Sequence, residues 1–525
     1  PPPRPPPPEG HQENARAAHP PRPHEPQAHA PHTRASAAEH WPGHGRPCRV
    51  AIDACGGVWL AMSLVAWCQA AVEAQRPHVC EKGTLRIHAL HSCPRPVCSL
   101  YPLAHVHPTD ARADEAVPTW QEHVIVTAAY RSQDAWRLAY ALELYVYTLP
   151  RERAGLVYVS KLDSSGYGPP TPSPAARAHL PPARSLTSTL TAAALHYFLV
   201  HDHWTTPIDH ISLHVLARAQ NAYLFPSSHQ HPNKRVLSDA ALIRWWQTCL
   251  SHVALSVQAR AFYIIPGYTR LDSHAIVPLH PAKDSAVSRA QWQYGHPYHV
   301  ADVPLPLHPC SWEHRHAATR SEALGARVVP TMIPVFPDDP KGRFVNEQAA
   351  TAHEPGASMK PIPRAASLAH REAMAERQAL ERLSIDGFWE RMGFRQECCS
   401  GNAVGIFVLS TTRQGSAAPS PPPKARPCSL PHPMLENLLL KHMMQDACVW
   451  HDPSEAATCT QRLFDAMDRA IQRKGGGDAA PYADVILPAI STDVLERAPT
   501  HPPAHAPPSP ASVRVLPVKK KARRS

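Results

Sequence analysis

Residues 336–344 read Phe336-Pro337-Asp338-Asp339-Pro340-Lys341-Gly342-Arg343-Phe344. Two adjacent carboxylates, a lysine and an arginine fall between two phenylalanines, directly after the apolar run at residues 328–335. Opposite charges this close, anchored by aromatics, form a local ion-pair network, and in such networks carboxylates acquire shifted pKa values. Asp-Pro is also ordinary turn chemistry, so the same residues taken alone describe a solvated turn after a strand. The rest of the chain decides between these readings.

The chain has 525 residues, long enough for two to four average domains. Its 61 prolines gather at the ends and in a few internal segments, which leaves one large domain over residues 81–475. Flexible inserts are expected near 168–184, 268–327 and 413–428. Residues 1–80 form a low-complexity N-terminal region, Pro/His/Ala-rich and disordered over 1–47, and residues 476–525 a disordered basic tail. The chain opens on Pro1 rather than Met, which points to a missing or misplaced start. A net charge of +10 favours acidic partners such as nucleic acid or histone-bound assemblies. Thirteen cysteines without CxxC spacing suit a reduced intracellular protein better than a disulfide framework. The 36 histidines include no HExxH and no finger-like Cys/His pairing, so we assign no metal. Residues 54–72 are uncharged over 19 positions, but two glycines, a serine and a glutamine make them a buried helix, or no element at all, rather than a membrane span. No cleavable signal peptide is visible. The closing Lys519-Lys520-Lys521-Ala522-Arg523-Arg524 is a basic cluster of nuclear-import type.

Hydrophobic patterning predicts strands at 85–90 and 123–130, and a helix over 134–149 that runs into the β-leaning Tyr145-Val146-Tyr147. Residues 156–167 read as a buried strand ending in a polar turn that holds Lys161 and Asp163. Helices follow at 185–200, 211–219 and, after Ser238 as N-cap, 239–253, where Leu242, Trp245, Trp246, Cys249, Leu250 and Val253 share a face. Residues 262–265 form a strand and 268–327 read as irregular. A charged helix is expected at 364–383, a strand at 403–409, and amphipathic helices near 435–449 and 455–473. Two motifs are dismissed. Gln472-Arg473-Lys474-Gly475-Gly476-Gly477 fits QxxGxG, the pyrophosphate loop of many acetyltransferases, but it leaves a helix instead of entering one, so its glycines stop that helix. No GxSxG occurs, and Cys398-Cys399 has no base that sequence assigns to it.

Five segments then line up in order with one family. They are Tyr158-Val159-Ser160-Lys161-Leu162-Asp163-Ser164-Ser165-Gly166-Tyr167; Ala217-Arg218 with Tyr223-Leu224-Phe225-Pro226; Val236-Leu237 through Leu242-Ile243-Arg244-Trp245-Trp246; Phe336 to Phe344; and Phe388-Trp389-Glu390-Arg391-Met392-Gly393-Phe394-Arg395-Gln396-Glu397-Cys398. Over residues 81–475 the chain resembles the fungal regulator-of-Ty-transposition histone acetyltransferases, whose fold is related to the acetyltransferase domain of CREB-binding protein. The resemblance implies a single α/β domain with a central mixed sheet surrounded by helices. It also implies acetyl-CoA as co-substrate without a metal, and acetylation of newly made histone H3 in the nucleus, in chromatin assembly and the DNA-damage response. Implied partners are histones H3–H4 and chaperones of the nucleosome-assembly-protein and anti-silencing-function families, with neither membrane nor sequence-specific nucleic acid.

Carried over residue by residue, the resemblance makes Asp339 the proton acceptor, with Asp163, Trp246 and Tyr223 also in the catalytic set. Lys341 matches a self-acetylated lysine, and Asp338 and Arg343 form a supporting ion pair. Acetyl-CoA contacts are expected from Leu162, Asp163, Ser164, Ser185, Leu186, Thr187, Leu216, Arg218, Gln220, Arg235, Val236, Leu237 and Trp245. The chemistry agrees, since a lysine ammonium must lose a proton before it attacks a thioester. A carboxylate raised by burial and by a like-charged neighbour accepts that proton, with Lys341 and Arg343 opposing the rise. One departure is Val345-Asn346-Glu347-Gln348, where the family carries an acidic Leu-Asp-Glu-Leu type run. The rival readings are an inactive relative serving as a chaperone-binding scaffold and a basic nucleic-acid-binding protein.

Overall fold

A computed structural model describes residues 63–75, 77–101, 103, 119–131, 135–173, 180, 183–277, 285–297, 330–357, 367–395, 398, 402–413, 429–445, 447–473 and 482–489. The chain divides into Pro1–Arg49 and Val50–Ser525, and every described residue belongs to the second unit. Helix α1 (Leu64–Gln75) is followed by an antiparallel run of β1 (Gly83–Ser92), β2 (Arg95–Val97), β3 (Thr119–Arg131), β4 (Arg137–Leu149) and β5 (Ala154–Ser164). Helix α2 (Leu186–Val200) crosses over, and β6 (His210–Ala217) returns parallel to β5. Then come α3 (Asp239–Val257), β7 (Arg260–Ile264), α4 (Arg270–Ile276), α5 (Ala286–Arg289) and β8 (Gln293–Tyr294). Helices α6 (Pro340–Ala350), α7 (Leu368–Glu381) and α8 (Ile385–Met392) precede β9 (Gly405–Thr412) and β10 (Ser429–Leu430). Helix α9 (His432–Leu439) ends in a π-turn over Leu440–Met444, and α10 (Pro453–Arg473) leads to β11 (Tyr482–Leu487).

Among the described residues all eleven strands belong to one mixed sheet, ordered β10-β1-β3-β4-β5-β6-β9-β7-β8, with β11 on β1 and β2 on β3. Alternation along β5 shows how its faces are used. Val157 and Val159 join α1, α2 and α3 in one core, while Leu156 and Tyr158 face Phe336, Phe344, Phe388 and Trp389 in another. A third cluster packs α9 and α10 against Leu90, Ile125, Ala129 and Ala141. This is the α/β architecture with a central mixed sheet that the resemblance implies.

Several expectations are corrected. Residues 137–149 are strand β4 and not a helix. Paired on both edges and covered on both faces, β4 has no polar side to show, so its apolar run lacks the period-two signature and imitates a buried helix. Residues 210–217 are strand β6 rather than a helix. Ile211, Leu213 and Val215 alternate with Ser212 and His214, which satisfy each other at 3.0 Å inside the protein. The segment 268–327 is not wholly irregular, since α4, α5 and β8 lie within it. Helix α1 buries Leu64, Val65, Cys68 and Val72 within the first core, and β11 completes the sheet beyond residue 475. Among the described residues no helix is long and apolar enough to cross a membrane. The expectations for residues 1–62, 414–428 and 490–525, including the basic cluster 519–524, lie outside the described residues.

Candidate functional site

The opening stretch becomes the entry to α6. Asp339 is the N-cap in an extended conformation (φ −106°, ψ 114°), and Pro340 occupies the first turn, where its missing N–H loses nothing. Asp338 is held left-handed at φ +52°, a region that asparagine and aspartate enter more readily than most residues. That kink sends the two carboxylates in opposite directions. Asp339 is 1% exposed, whereas the Asp338 side chain keeps 66% of its surface. Gly342 lets the first turn of α6 close on Val335, because a Cβ there would stand 3.1 Å from Val335 Cγ1.

Asp339 Oδ1 accepts the Lys341 backbone N–H at 3.1 Å, and Oδ2 pairs with Lys341 Nζ. Lys341 is 3% exposed; its ammonium also donates to Pro334 O at 3.2 Å and lies 4.3 Å from the centre of the Phe336 ring. Phe336 stacks on Tyr158 of β5 with ring centres 4.3 Å apart. Burying two opposite charges costs several kcal/mol per ion, which the attraction offsets only when the remaining bonds are also made, as here. Burial raises the Asp339 pKa against the lowering effect of Lys341, and it lowers the Lys341 pKa against the raising effect of Asp339. The expected help from a like-charged neighbour does not operate. Asp338 turns away to Lys161 Nζ at 3.5 Å and to Arg343 Nη1 at 3.8 Å.

Lys161 links this loop to an acid that sequence reasoning missed. Glu143 of β4 faces Lys161 of β5 where Ser160 is an extra residue in the ladder, a β-bulge. Its Oε2 accepts from Ser160 Oγ (2.7 Å) and Lys161 Nζ (3.0 Å), and its Oε1 meets His123 Nε2 at 2.9 Å. Burial pushes the Glu143 pKa up, but the His123 hydrogen bond and the charge of Lys161 outweigh it, holding the group down at about 2. Once residues 137–149 are taken as a strand, one carboxylate amid that apolar run is the signal that could have found it.

Asp163 is held by a different set of partners from Asp339. Its Oδ2 accepts the backbone N–H groups of Tyr223, Leu224 and Phe225 at 2.7, 2.9 and 3.2 Å, and its Oδ1 accepts from Ser164 N and Lys234 Nζ, both at 2.8 Å. With both oxygens so engaged, Asp163 orders the loop that carries Tyr223. Tyr223 is partly buried, and burial raises its pKa. Trp246 is 4% exposed in the α1/α2/α3 layer, edge-on to Trp245 at 5.0 Å, on the sheet face opposite Phe336.

The expected acetyl-CoA positions fall at the C-terminal ends of β5 and β6, in the middle of the sheet, and in the segments that open α2 and α3. Strands β5 and β6 pair only as far as Val159 and Val215, so their C-terminal ends, Leu162 to Ser164 and Leu216 to Gln220, are not paired with each other. Helix α2, which packs on β5, has Ser185 as N-cap and Leu186 and Thr187 in its first turn. The exposed Arg235 and Val236, with the half-buried Leu237, lead into α3, which carries Trp245 and meets α2 where Cys249 Sγ donates to Ser188 O at 3.8 Å. The carboxyl ends of adjacent parallel strands with helix N-termini above them are where α/β sheets bind ligands with phosphate groups.

The two most specific sequence segments also meet. Phe344 of α6 lies 4.9 Å from Phe388 of α8, Glu347 pairs with Arg395, and Gln348 accepts from Arg391 Nη1 at 3.1 Å. Thus Glu347 and Gln348, within the departure from the family pattern, pin α6 to α8. Residues 185–475 match the histone acetyltransferase KAT11-type domain, a span that takes in every candidate site residue from Ser185 onward. The chain belongs to the KAT11-type histone acetyltransferase family.

The chain is 26% identical over 353 residues to histone acetyltransferase rtt109 of Aspergillus flavus, a match covering 62% of this chain and 53% of that relative. It is 25% identical over 270 residues to the protein of the same name from Schizosaccharomyces pombe, covering 51% of this chain and 56% of the relative. The chain therefore spans about half the length of these curated relatives. The crystal structure of Rtt109 from Aspergillus fumigatus shares the fold of this KAT11-type chain at a TM-score of 0.51 and 21% identity. That match covers 78% of this chain and 96% of the other.

Proposed function

We propose that this KAT11-type protein is a nuclear histone acetyltransferase that carries the acetyl group of acetyl-CoA directly to lysines of newly synthesised histone H3, in chromatin assembly and the DNA-damage response. Its partners would be H3–H4 and histone chaperones of the nucleosome-assembly-protein and anti-silencing-function families. The observation that carries the reading is Asp339, a buried carboxylate with a raised pKa, already paired with a lysine ammonium. Asp339 takes a proton from the incoming lysine, whose nitrogen then attacks the thioester carbonyl. The carbon–sulfur bond breaks, and the departing CoA thiolate takes up a proton.

The residues at the C-terminal ends of β5 and β6 and before α3 fit acetyl-CoA, with Arg235 for its phosphates and Leu162, Leu216 and Val236 for its apolar arm. When bound there, the co-substrate supplies the activated acyl group. Self-acetylation of Lys341 would replace its ammonium with a neutral amide and release Asp339 Oδ2 for a substrate lysine. The test uses labelled acetyl-CoA with H3–H4, with and without chaperone, and mass spectrometry to locate the modified lysines. Transfer to H3 that Asp339→Asn slows by about 10²–10⁴-fold is expected. Chaperone binding without transfer would replace this reading with that of a scaffold.

A further inference from the structure

On the sheet face opposite Phe336, three buried side chains from distant parts of the chain converge. His91 near the end of β1 faces Val124 of β3, and Glu122 lies two residues before Val124, so both project into the α1/α2 layer. His203, in the turn after α2, closes over them, with its Nε2 3.1 Å from Glu122 Oε2 and its ring 5.4 Å from that of His91. The three are 7%, 2% and 3% exposed, and one donor atom from each lies within 4.8 Å of the others.

We propose that His91, Glu122 and His203 form a structural zinc-class site. Two imidazoles and one carboxylate are the donor set that divalent transition metals of this class take. His203 and Glu122 already stand near the separation of about 3.3 Å that two ligands keep on one tetrahedral ion with bonds of about 2.0–2.1 Å. A donor atom of His91 lies within 4.8 Å of both. A dication among these donors would offset the cost of burying the Glu122 carboxylate. Phe198 packs edge-on at 4.7 Å from the His203 ring and walls the site from solvent. The role is structural, since the ion would tie β1 and β3 to the end of α2. Spacing along the chain hides the set, because its members come from three separate elements.

The test strips the full chain with chelator, titrates it with zinc chloride and measures bound metal and melting temperature beside His91→Gln and Glu122→Gln. The wild type is expected to hold one more tight equivalent of zinc than either variant. Zinc at 100 times its Kd is expected to raise the wild-type melting point by about 3–5 °C, a gain lost in both variants. Exposed histidines and thiols bind zinc alike in all three chains and cancel. Cobalt substituted at the tight site should show no thiolate charge-transfer band. Equal stoichiometry and equal thermal response in all three chains would overturn the assignment, as would a thiolate band. If Glu122→Gln fails to fold, the His91→Gln comparison decides. A wild type with no thermal response to zinc refutes the site by itself.

Discussion

Replacing Lys341 by methionine keeps most of the stem that crosses Phe336 and removes the ammonium, leaving the Asp339 carboxylate buried with only its backbone partners. Breaking one side of a buried pair costs about 3–5 kcal/mol, a large share of the roughly 5–15 kcal/mol that holds a domain together. The loss should depend on pH in a defined direction. Burial already raises Asp339, and without Lys341 its largest lowering influence disappears, so its folded pKa rises further. A carboxyl group with a folded pKa above its unfolded value of about 3.9 contributes stability below that value and loses it as pH rises through the folded pKa. Lys341→Met should therefore be mildly destabilising near pH 5 and most destabilising near pH 8. Urea unfolding of wild type and variant at both pH values gives the difference, in which the buried histidines common to both chains cancel. Adding Asp339→Asn should recover most of the loss at pH 8, because no charge then remains to be stranded. A penalty below about 1 kcal/mol at pH 8, or one independent of pH, would refute the buried ion pair.

Other expectations follow from the same geometry. Asp339→Asn should lower kcat for acetyl transfer by about 10²–10⁴-fold and flatten its pH profile, read by single-turnover kinetics. Asp163→Ala removes the acceptor of three successive amides and strands Lys234, so a loss of about 3–5 kcal/mol is expected, with faster hydrogen exchange at Tyr223, Leu224 and Phe225. The low pKa of Glu143 stabilises the fold above its unfolded value of about 4.3; the stability gap between wild type and Glu143→Gln should be constant above pH 5 and close as pH falls toward about 2. Gly393→Ala would put a Cβ 2.5 Å from the Gly267 Cα, backbone against backbone, and should lower stability by about 1–3 kcal/mol in thermal unfolding.

What could be read without coordinates follows from how each signal is encoded. The helix from Asp239 to Val257 is legible because it is amphipathic, while β4, buried on both faces, offers only an apolar run that suits either period. The acidic loop was recognisable through its residue types and through resemblance. Nothing local in Asp338-Asp339 says which carboxylate is buried, because a positive φ at Asp338 and the stack of Phe336 on Tyr158 decide it. Glu143, His123 and Lys161 come from three strands and meet only through β-pairing register, which one-dimensional spacing does not carry.

Strand β11 has a consequence for how this protein is made. The forked contact of Arg86 with Asp484 joins residues 398 positions apart, and β9 inserts between β6 and β7 although it follows both in the chain. At about 5–20 residues per second, a ribosome needs roughly 20–80 s after making β1 before its partner strand exists. During that interval β1 and β6 each present an unpaired edge of the kind that invites pairing with other chains. Synthesis of this protein should therefore depend on chaperones that cover nascent strands, and truncation before Tyr482 should yield aggregates rather than a smaller soluble protein.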